Sequence, residues 1–140
     1  MIAIDTGFLL ALADRRDAWH QRAMAQAGSA VEGWITTWPV LTEACHLLQR
    51  SVGSEFAAAL LDDVADGSMA VWSITEDAHK RIPTLMRKYA QLPMDLADAS
   101  LVLLAEHLGH GQILSTDLRD FKTYRWKNRK PFDNLLESTS

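Results

Sequence analysis

Residues 94–117 read MDLADASLVLLAEHLGHGQILSTD and carry the clearest signals of secondary structure in the chain. Apolar residues predominate from Met94 to Leu108 after Pro93, and Gly109 follows, so the pattern predicts a helix that starts after the proline and stops at the glycine. The short run Gln112 to Ser115 then predicts a buried strand. A helix that leads at once into a buried strand is the repeating unit of α/β proteins.

The same alternation extends over the rest of the chain. Several such units in succession predict an α/β fold, a parallel sheet with helices on both faces, formed by a single domain over residues 1–140. The other predicted strands are Met1 to Ile4, Gly33 to Thr36, Met69 to Ile74 and an edge strand at Pro131 to Leu136. The other predicted helices are Phe8 to Ala13, Trp19 to Ala30, Trp38 to Arg50, Ser54 to Asp66 and Glu76 to Ala90.

Composition excludes several classes of protein. Apolar residues make up 48% and charged residues 23% of the 140, as in ordinary globular domains. Cys45 is the only cysteine, so neither an internal disulfide nor a cysteine-based zinc site can form, which favours the reducing cytoplasm. Asp5 interrupts the apolar start, against a signal peptide, and no apolar run reaches the ~18 residues of a membrane span.

Two acids follow predicted strands. Asp5 ends the first strand, and Asp117 comes two residues after the strand Gln112 to Ser115. Because the carboxyl ends of parallel strands share one edge of the sheet, the two carboxylates are expected to meet there. The alternatives are a helix N-cap for Asp5 and an Asx turn for Asp117.

Two further acids lie on predicted helices in apolar surroundings. Asp98 has Leu101, Val102 and Ala105 at helical spacing, and Glu43 has Val40 and Leu47. A carboxylate that faces a core costs several kcal/mol unless it is neutralised, paired or bound to a cation. Favourable placement in the first helical turn is the alternative for Asp95 and Asp98, and a salt bridge to an arginine is the alternative for Glu43.

If these four acids converge, their chemistry is that of a metal site. Carboxylate oxygens without histidine or thiolate suit Mg²⁺ or Mn²⁺ rather than zinc. Such ions serve phosphoryl chemistry, in which they activate water and stabilise the charge on the leaving oxygen. No protein nucleophile is then needed.

The ordered set of motifs resembles the PIN domain family. The resemblance rests on Ile4-Asp5-Thr6, Glu43 within a helix, Asp98-Ala99 at the start of the segment Asp98 to Glu106, and Ser115-Thr116-Asp117 followed by Asp120-Phe121. No single piece is specific, but together they span the chain from Ile4 to Phe121. The standalone length of the chain favours the VapC-like toxin branch of that family.

The resemblance implies a central five-stranded parallel sheet and a divalent-metal-dependent endoribonuclease with RNA as substrate. It implies Asp5, Glu43, Asp98 and Asp117 as catalytic and metal-binding residues, with Mg²⁺ or Mn²⁺ as cofactor. Thr6, Ser115 and Asp95 are accessory candidates, and Asp98 is preferred to Asp95 as the primary ligand because of its spacing to Ala105. It also implies a cognate antitoxin and a homodimer. The alternative is a non-catalytic PIN-like module that binds RNA or protein.

Positive charge is concentrated near the C-terminus of an otherwise acidic chain. Residues 119–130 carry six cations and one acid, a net +5 within a total of -4, which leaves -9 for the remainder. Such a segment, adjacent to Asp117 in sequence, is a candidate surface for RNA phosphates; the alternative is a solvated loop. Its cations are Arg119, Lys122, Arg125, Lys127, Arg129 and Lys130.

Overall fold

The computed structural model describes residues 1–29 and 32–137. Its strands are short and largely buried. They are β1 (Ile2–Ile4), β2 (Trp34–Thr37), β3 (Met69–Trp72), β4 (Gln112–Leu114), β5 (Arg125–Trp126), β6 (Lys130–Pro131) and β7 (Asp133–Asn134).

Helices connect the strands and begin at capping side chains in most cases. Asp5, Thr37, Thr75, Asp95 and Asp117 each accept a hydrogen bond from a backbone N–H of the helix that follows. The helices are α1 (Thr6–Ala13), α2 (His20–Ser29), α3 (Trp38–Ser51), α4 (Ser54–Ala65), α5 (Glu76–His79), α6 (Ile82–Lys88), α7 (Leu96–Leu108) and α8 (Leu118–Thr123).

Five strands form one sheet in the order β3-β2-β1-β4-β7, and every pairing in it is parallel. The predicted α/β fold with a five-stranded parallel sheet flanked by helices is therefore confirmed. All five strands end at the same side, which we call the carboxyl edge. The opposite side, where the strands begin, is the amino edge.

Helix α7 is the central helix of the core. Every residue from Ala99 to Ala105 is buried, and the helix contacts α3, α6, β1 and β2. Gly109 ends it with φ 79°, a left-handed conformation that glycine adopts without steric cost. Since α7 ends just before β4 begins, its first turn lies at the carboxyl edge and its last turn at the amino edge. Asp98 is in the first turn.

Several predicted boundaries differ from the structure. The helix expected over Glu76 to Ala90 is broken into α5 and α6 around Lys80 and Arg81, because Pro83 belongs to a first helical turn rather than to a helix interior. The strand predicted to end at Ile74 ends at Trp72, and the one predicted to end at Ser115 ends at Leu114. The predicted end of the second helix, Ala30, lies outside the described residues.

The C-terminal part contains more regular structure than the sequence predicted. The segment Pro131 to Leu136 is split between β6 and β7, and only β7 joins the main sheet as its edge strand. The basic segment holds α8 and an antiparallel hairpin of β5 and β6. Lys127 and Asn128 form its turn with φ 49° and 63°. Among the described residues, no helix is long and apolar enough to cross a membrane.

Candidate metal centre at the carboxyl edge

Asp5 is a buried carboxylate where β1 passes into α1. One of its oxygens accepts a hydrogen bond from the Phe8 backbone N–H at 2.9 Å, and the other accepts one from the Ser115 hydroxyl. Burial, together with the charges of Asp117 and Glu43, raises the pKa of Asp5 to about 6, although both hydrogen bonds oppose the rise. Asp5 is thus both the predicted N-cap and a carboxylate with uncompensated charge.

Ser115 links the ends of β1 and β4. Its hydroxyl donates to Asp5 and accepts a hydrogen bond from the Asp117 backbone N–H at 2.9 Å. The amide side chain of Asn134 in β7 holds the Ser115 backbone from the other side, with bonds of 3.2 and 2.9 Å to its N–H and C=O groups. Ser115 therefore fixes Asp5 against the loop that carries Asp117.

Asp117 starts α8 as its N-cap and faces a second acid. Its side chain accepts a hydrogen bond from the Asp120 backbone N–H at 3.2 Å. Burial and the neighbouring Asp120 raise the pKa of Asp117, while Arg119 opposes the rise. Asp120 is buried, and the exposed guanidinium of Arg119 lies 3.3 Å from it. Asp117 is therefore the N-cap of a short helix, whereas the alternative considered for it was an Asx turn.

Asp98 and Asp95 form a capping box at the start of α7. Asp95 accepts from the Asp98 N–H at 2.8 Å, and Asp98 Oδ2 accepts from the Asp95 N–H at 3.4 Å. The hydroxyl of Tyr124 also donates to Asp98 Oδ2, at 3.0 Å. Burial and the charge of Asp95 raise the pKa of Asp98 to about 7, while the Tyr124 bond opposes the rise.

Glu43 and Thr6 complete the predicted set. Glu43 is half-buried on α3 and forms no ion pair with the described residues, so the salt bridge considered for it is not formed. Glu43 lies in the second turn of α3, which begins at the carboxyl end of β2, and its charge adds to the effect of burial on the pKa of Asp5. Thr6 is buried, and its hydroxyl has no hydrogen-bond partner among the described residues.

The donor atoms of this site are those that a divalent ion such as Mg²⁺ prefers. The side chains supply only oxygen donors, and none of the four carboxylates pairs with a lysine or arginine of the described chain. Within residues 1–29 and 32–137, no three acid, histidine or cysteine side chains already surround one point. The chemistry therefore fits Mg²⁺ or Mn²⁺, and closer approach of the carboxylates around one ion stays a prediction.

The structure corrects the expected position of the basic segment. Only its beginning, with Arg119, lies beside Asp117 at the carboxyl edge. The hairpin lies at the amino edge, because Trp126 Nε1 donates to Pro131 O next to Gly111, the residue before β4. The Lys127 N–H also donates to the carboxylate of Glu106. Glu106 follows Asp98 by eight residues, so the two lie about 12 Å apart along the axis of α7.

The cations of that segment also differ in their partners. Lys122 pairs with Glu137 at 2.7 Å, and Arg125 donates to the C=O groups of Lys122, Thr123 and Tyr124, which end α8. Lys127 and Lys130 lie 5.8 and 4.9 Å from the ring centre of Trp126. Arg129 donates its backbone N–H to the Trp126 C=O at 3.3 Å, and its side chain forms no ion pair with the described residues.

An apolar cavity lies away from the carboxyl edge. It has a volume of about 900 Å³ between α1, α2, α3 and α4, and its lining includes Leu9, Met24, Leu48 and Phe56. None of the predicted site residues lines it. An apolar groove of this kind does not suit a polyanion, so the candidate site is the open carboxyl edge.

Sequence reasoning missed three residues that organise the site. Tyr124 and Asn134 lie far along the chain from the groups that they hold, and no spacing rule indicates such contacts. Asp120 was noted only as part of a motif. Its position at i+3 from the N-cap Asp117 was the available signal, because that spacing turns a first-turn acid back toward the cap.

Comparison with known proteins gives a consistent result. The family model described as PIN domain matches residues 2–127. Ribonuclease VapC26 of Mycobacterium tuberculosis (strain ATCC 25618 / H37Rv) is 26% identical over 122 residues, which cover 87% of this chain and 90% of that protein. The crystal structure of Mycobacterium tuberculosis VapC20, a sarcin-ricin loop cleaving toxin, superposes on this chain with a TM-score of 0.77. The two sequences are 23% identical, and the match covers 84% of this chain and 90% of the VapC20 chain.

Proposed function

The chain belongs to the PIN domain family, and we propose that it is a divalent-metal-dependent endoribonuclease that hydrolyses RNA phosphodiester bonds as the toxin of a toxin-antitoxin pair. Asp5 is buried with no cationic partner among residues 1–29 and 32–137, and the charges of Asp117 and Glu43 act on it from two other elements. Retaining such repulsion costs stability, and a divalent cation relieves it.

We assign different roles to the residues at the carboxyl edge. Asp5, Glu43, Asp98 and Asp117 would hold the cation. Ser115 fixes Asp5 through its hydroxyl, and the next residue, Thr6, offers a buried hydroxyl that has no partner in the described part of the chain. When bound, Mg²⁺ or Mn²⁺ supplies an activated water and stabilises the developing charge on the leaving oxygen. Arg119 is the exposed cation next to Asp117 and is placed to contact a phosphate of the RNA.

The test is cleavage by the purified chain. RNA oligonucleotides, including one with the sequence of the sarcin-ricin loop and an unstructured one, should be cut with Mg²⁺ or Mn²⁺ and left intact with EDTA. Asp98→Asn, purified in parallel, controls for contaminating nucleases. Cleavage that persists in EDTA, or that Asp98→Asn retains, would refute the proposal. RNA binding without cleavage at any metal concentration would favour the non-catalytic module instead.

The role as a toxin is tested separately from RNA cleavage. We propose a cytoplasmic protein that acts as a homodimer and is inhibited by a cognate antitoxin, as the resemblance to the VapC-like branch of the PIN domain family implies. Induced expression should arrest growth, and co-expression of a small gene adjacent to its own should restore it. Light scattering of the purified protein gives the oligomeric state. Growth that continues while wild-type protein cleaves RNA in vitro would contradict the toxin role alone.

A further inference from the structure

Tyr124 reaches the carboxyl edge from the far end of α8. Its side chain is fully buried, and its hydroxyl donates to Asp98 Oδ2 at 3.0 Å. Burial and the charge of Asp98 raise the pKa of Tyr124, and the charges of Asp120 and Asp117 add to the rise. A buried hydroxyl beside a carboxylate is not needed for packing alone, since phenylalanine would fill the same space without a polar atom.

The ring of Tyr124 is fixed on two sides. It packs edge-to-face against Tyr89 at 5.0 Å and against Phe121 at 5.2 Å between ring centres. The Tyr89 hydroxyl has a separate partner, since it accepts a hydrogen bond from the Arg125 N–H at 3.1 Å, whereas the Tyr89 ring supplies the packing. The position of the Tyr124 hydroxyl is therefore set by aromatic packing before any ligand arrives.

The bonds to Asp98 are asymmetric. Both the Tyr124 hydroxyl and the Asp95 N–H are donors to Oδ2, whereas no described residue donates to Oδ1. One oxygen of the carboxylate is thus held in place while the other stays open. This is the arrangement that an outer hydrogen bond gives to a carboxylate that ligates a metal with its free oxygen.

We propose that Tyr124 is a positioning residue that holds Asp98 Oδ2 so that Oδ1 faces the divalent cation. The proposal rests on the metal-dependent function proposed above. It differs from a purely structural link between α8 and α7, because it requires the hydroxyl to act on metal affinity through Asp98.

The test compares two phenol-to-phenyl changes in the full chain. Tyr124→Phe removes the hydroxyl at Asp98, and Tyr89→Phe removes the neighbouring buried hydroxyl that contacts only backbone. Mn²⁺ affinity is measured on the RNA-free protein from the free Mn²⁺ signal in electron paramagnetic resonance, with melting temperature in chelator as the check on folding. Tyr124→Phe should weaken Mn²⁺ binding about tenfold, the lower end for outer-shell partners of metal ligands. Tyr89→Phe should leave Mn²⁺ affinity unchanged.

A double variant shows whether the effect passes through Asp98. Tyr124→Phe combined with Asp98→Asn should bind Mn²⁺ as Asp98→Asn does alone, because the hydroxyl then has no carboxylate to hold. Unchanged Mn²⁺ affinity in Tyr124→Phe, or equal losses in both phenyl variants, would overturn the positioning role while leaving the proposed function intact. A wild-type protein that neither binds Mn²⁺ nor cleaves RNA would overturn both.

Discussion

Replacing Asp5 by Asn should stabilise the metal-free protein and remove its response to metal. The carboxylate is buried, and its pKa is raised from a usual 3.8 to about 6. At about 1.4 kcal/mol for each pH unit by which a pKa moves, ionised Asp5 lowers the free energy of unfolding by about 3 kcal/mol at pH 7.5. Asn keeps an acceptor for Phe8 but disturbs the Ser115 bond, which costs about 1 kcal/mol. The expected net gain is about 2 kcal/mol.

The pH dependence of this effect follows from its direction. Because the folded pKa is raised, the contribution of Asp5 to stability is fully present below its unfolded value of 3.8 and is lost as pH rises through about 6. The advantage of Asp5→Asn should therefore grow mainly between about pH 4 and about pH 6.5 and be level by about pH 7.5. Urea unfolding in EDTA at several pH values measures it. Asp62→Asn, a change at an exposed aspartate of α4, is the control and should have no such trend.

Added Mn²⁺ should reverse the order of stability. A ligand at a hundredfold excess over its Kd raises the free energy of unfolding by about 2.7 kcal/mol. The wild type should gain about that much, whereas Asp5→Asn should gain little because a ligand has been lost. If Asp5→Asn were less stable than the wild type in chelator at pH 7.5 and equally stabilised by Mn²⁺, the reasoning about an uncompensated buried carboxylate would be wrong.

Three further predictions concern catalysis, RNA binding and packing. Asp98→Asn should reduce kcat by at least a hundredfold and leave RNA affinity equal or tighter in filter binding, because a negative charge facing the phosphates is removed. Arg119→Ala should raise KM more than Arg129→Ala, since only Arg119 lies beside Asp117; initial rates over a salt series test this, and equal effects would argue against it. Gly111→Ala should lower the free energy of unfolding by about 1–3 kcal/mol in urea, because a Cβ there would lie 2.6 Å from Trp126 Nε1 and 2.9 Å from the Pro131 carbonyl oxygen.

The parts of the fold that depend on local signals were predictable. Gly109 ends α7 as expected, and Asp5 and Asp117 follow parallel strands, so the carboxyl edge could be inferred without coordinates. Pro83 was also a usable signal for the break between α5 and α6, although the apolar pattern around it suggested one continuous helix.

The remaining features depend on contacts between distant residues or on very short elements. Helix α8 has six residues and β5 has two, too few for a periodic pattern to be visible. The bond from Tyr124 to Asp98 joins residues 26 apart through aromatic packing, which no local spacing rule predicts. The distance of the hairpin from Asp117 arises because α8 carries the chain from the carboxyl edge back to the amino edge. Sequence proximity to Asp117 was therefore a poor guide for Lys127, Arg129 and Lys130.

The bound metal can be located in crystals of the chain. Crystals soaked in Mn²⁺ should give an anomalous difference peak at the carboxyl edge, within about 2.0–2.3 Å of oxygens from Asp5 and at least one of Glu43, Asp98 and Asp117. A strong Mn²⁺ peak at another place, with none at these carboxylates in a protein that cleaves RNA, would show that these four acids do not hold the catalytic metal.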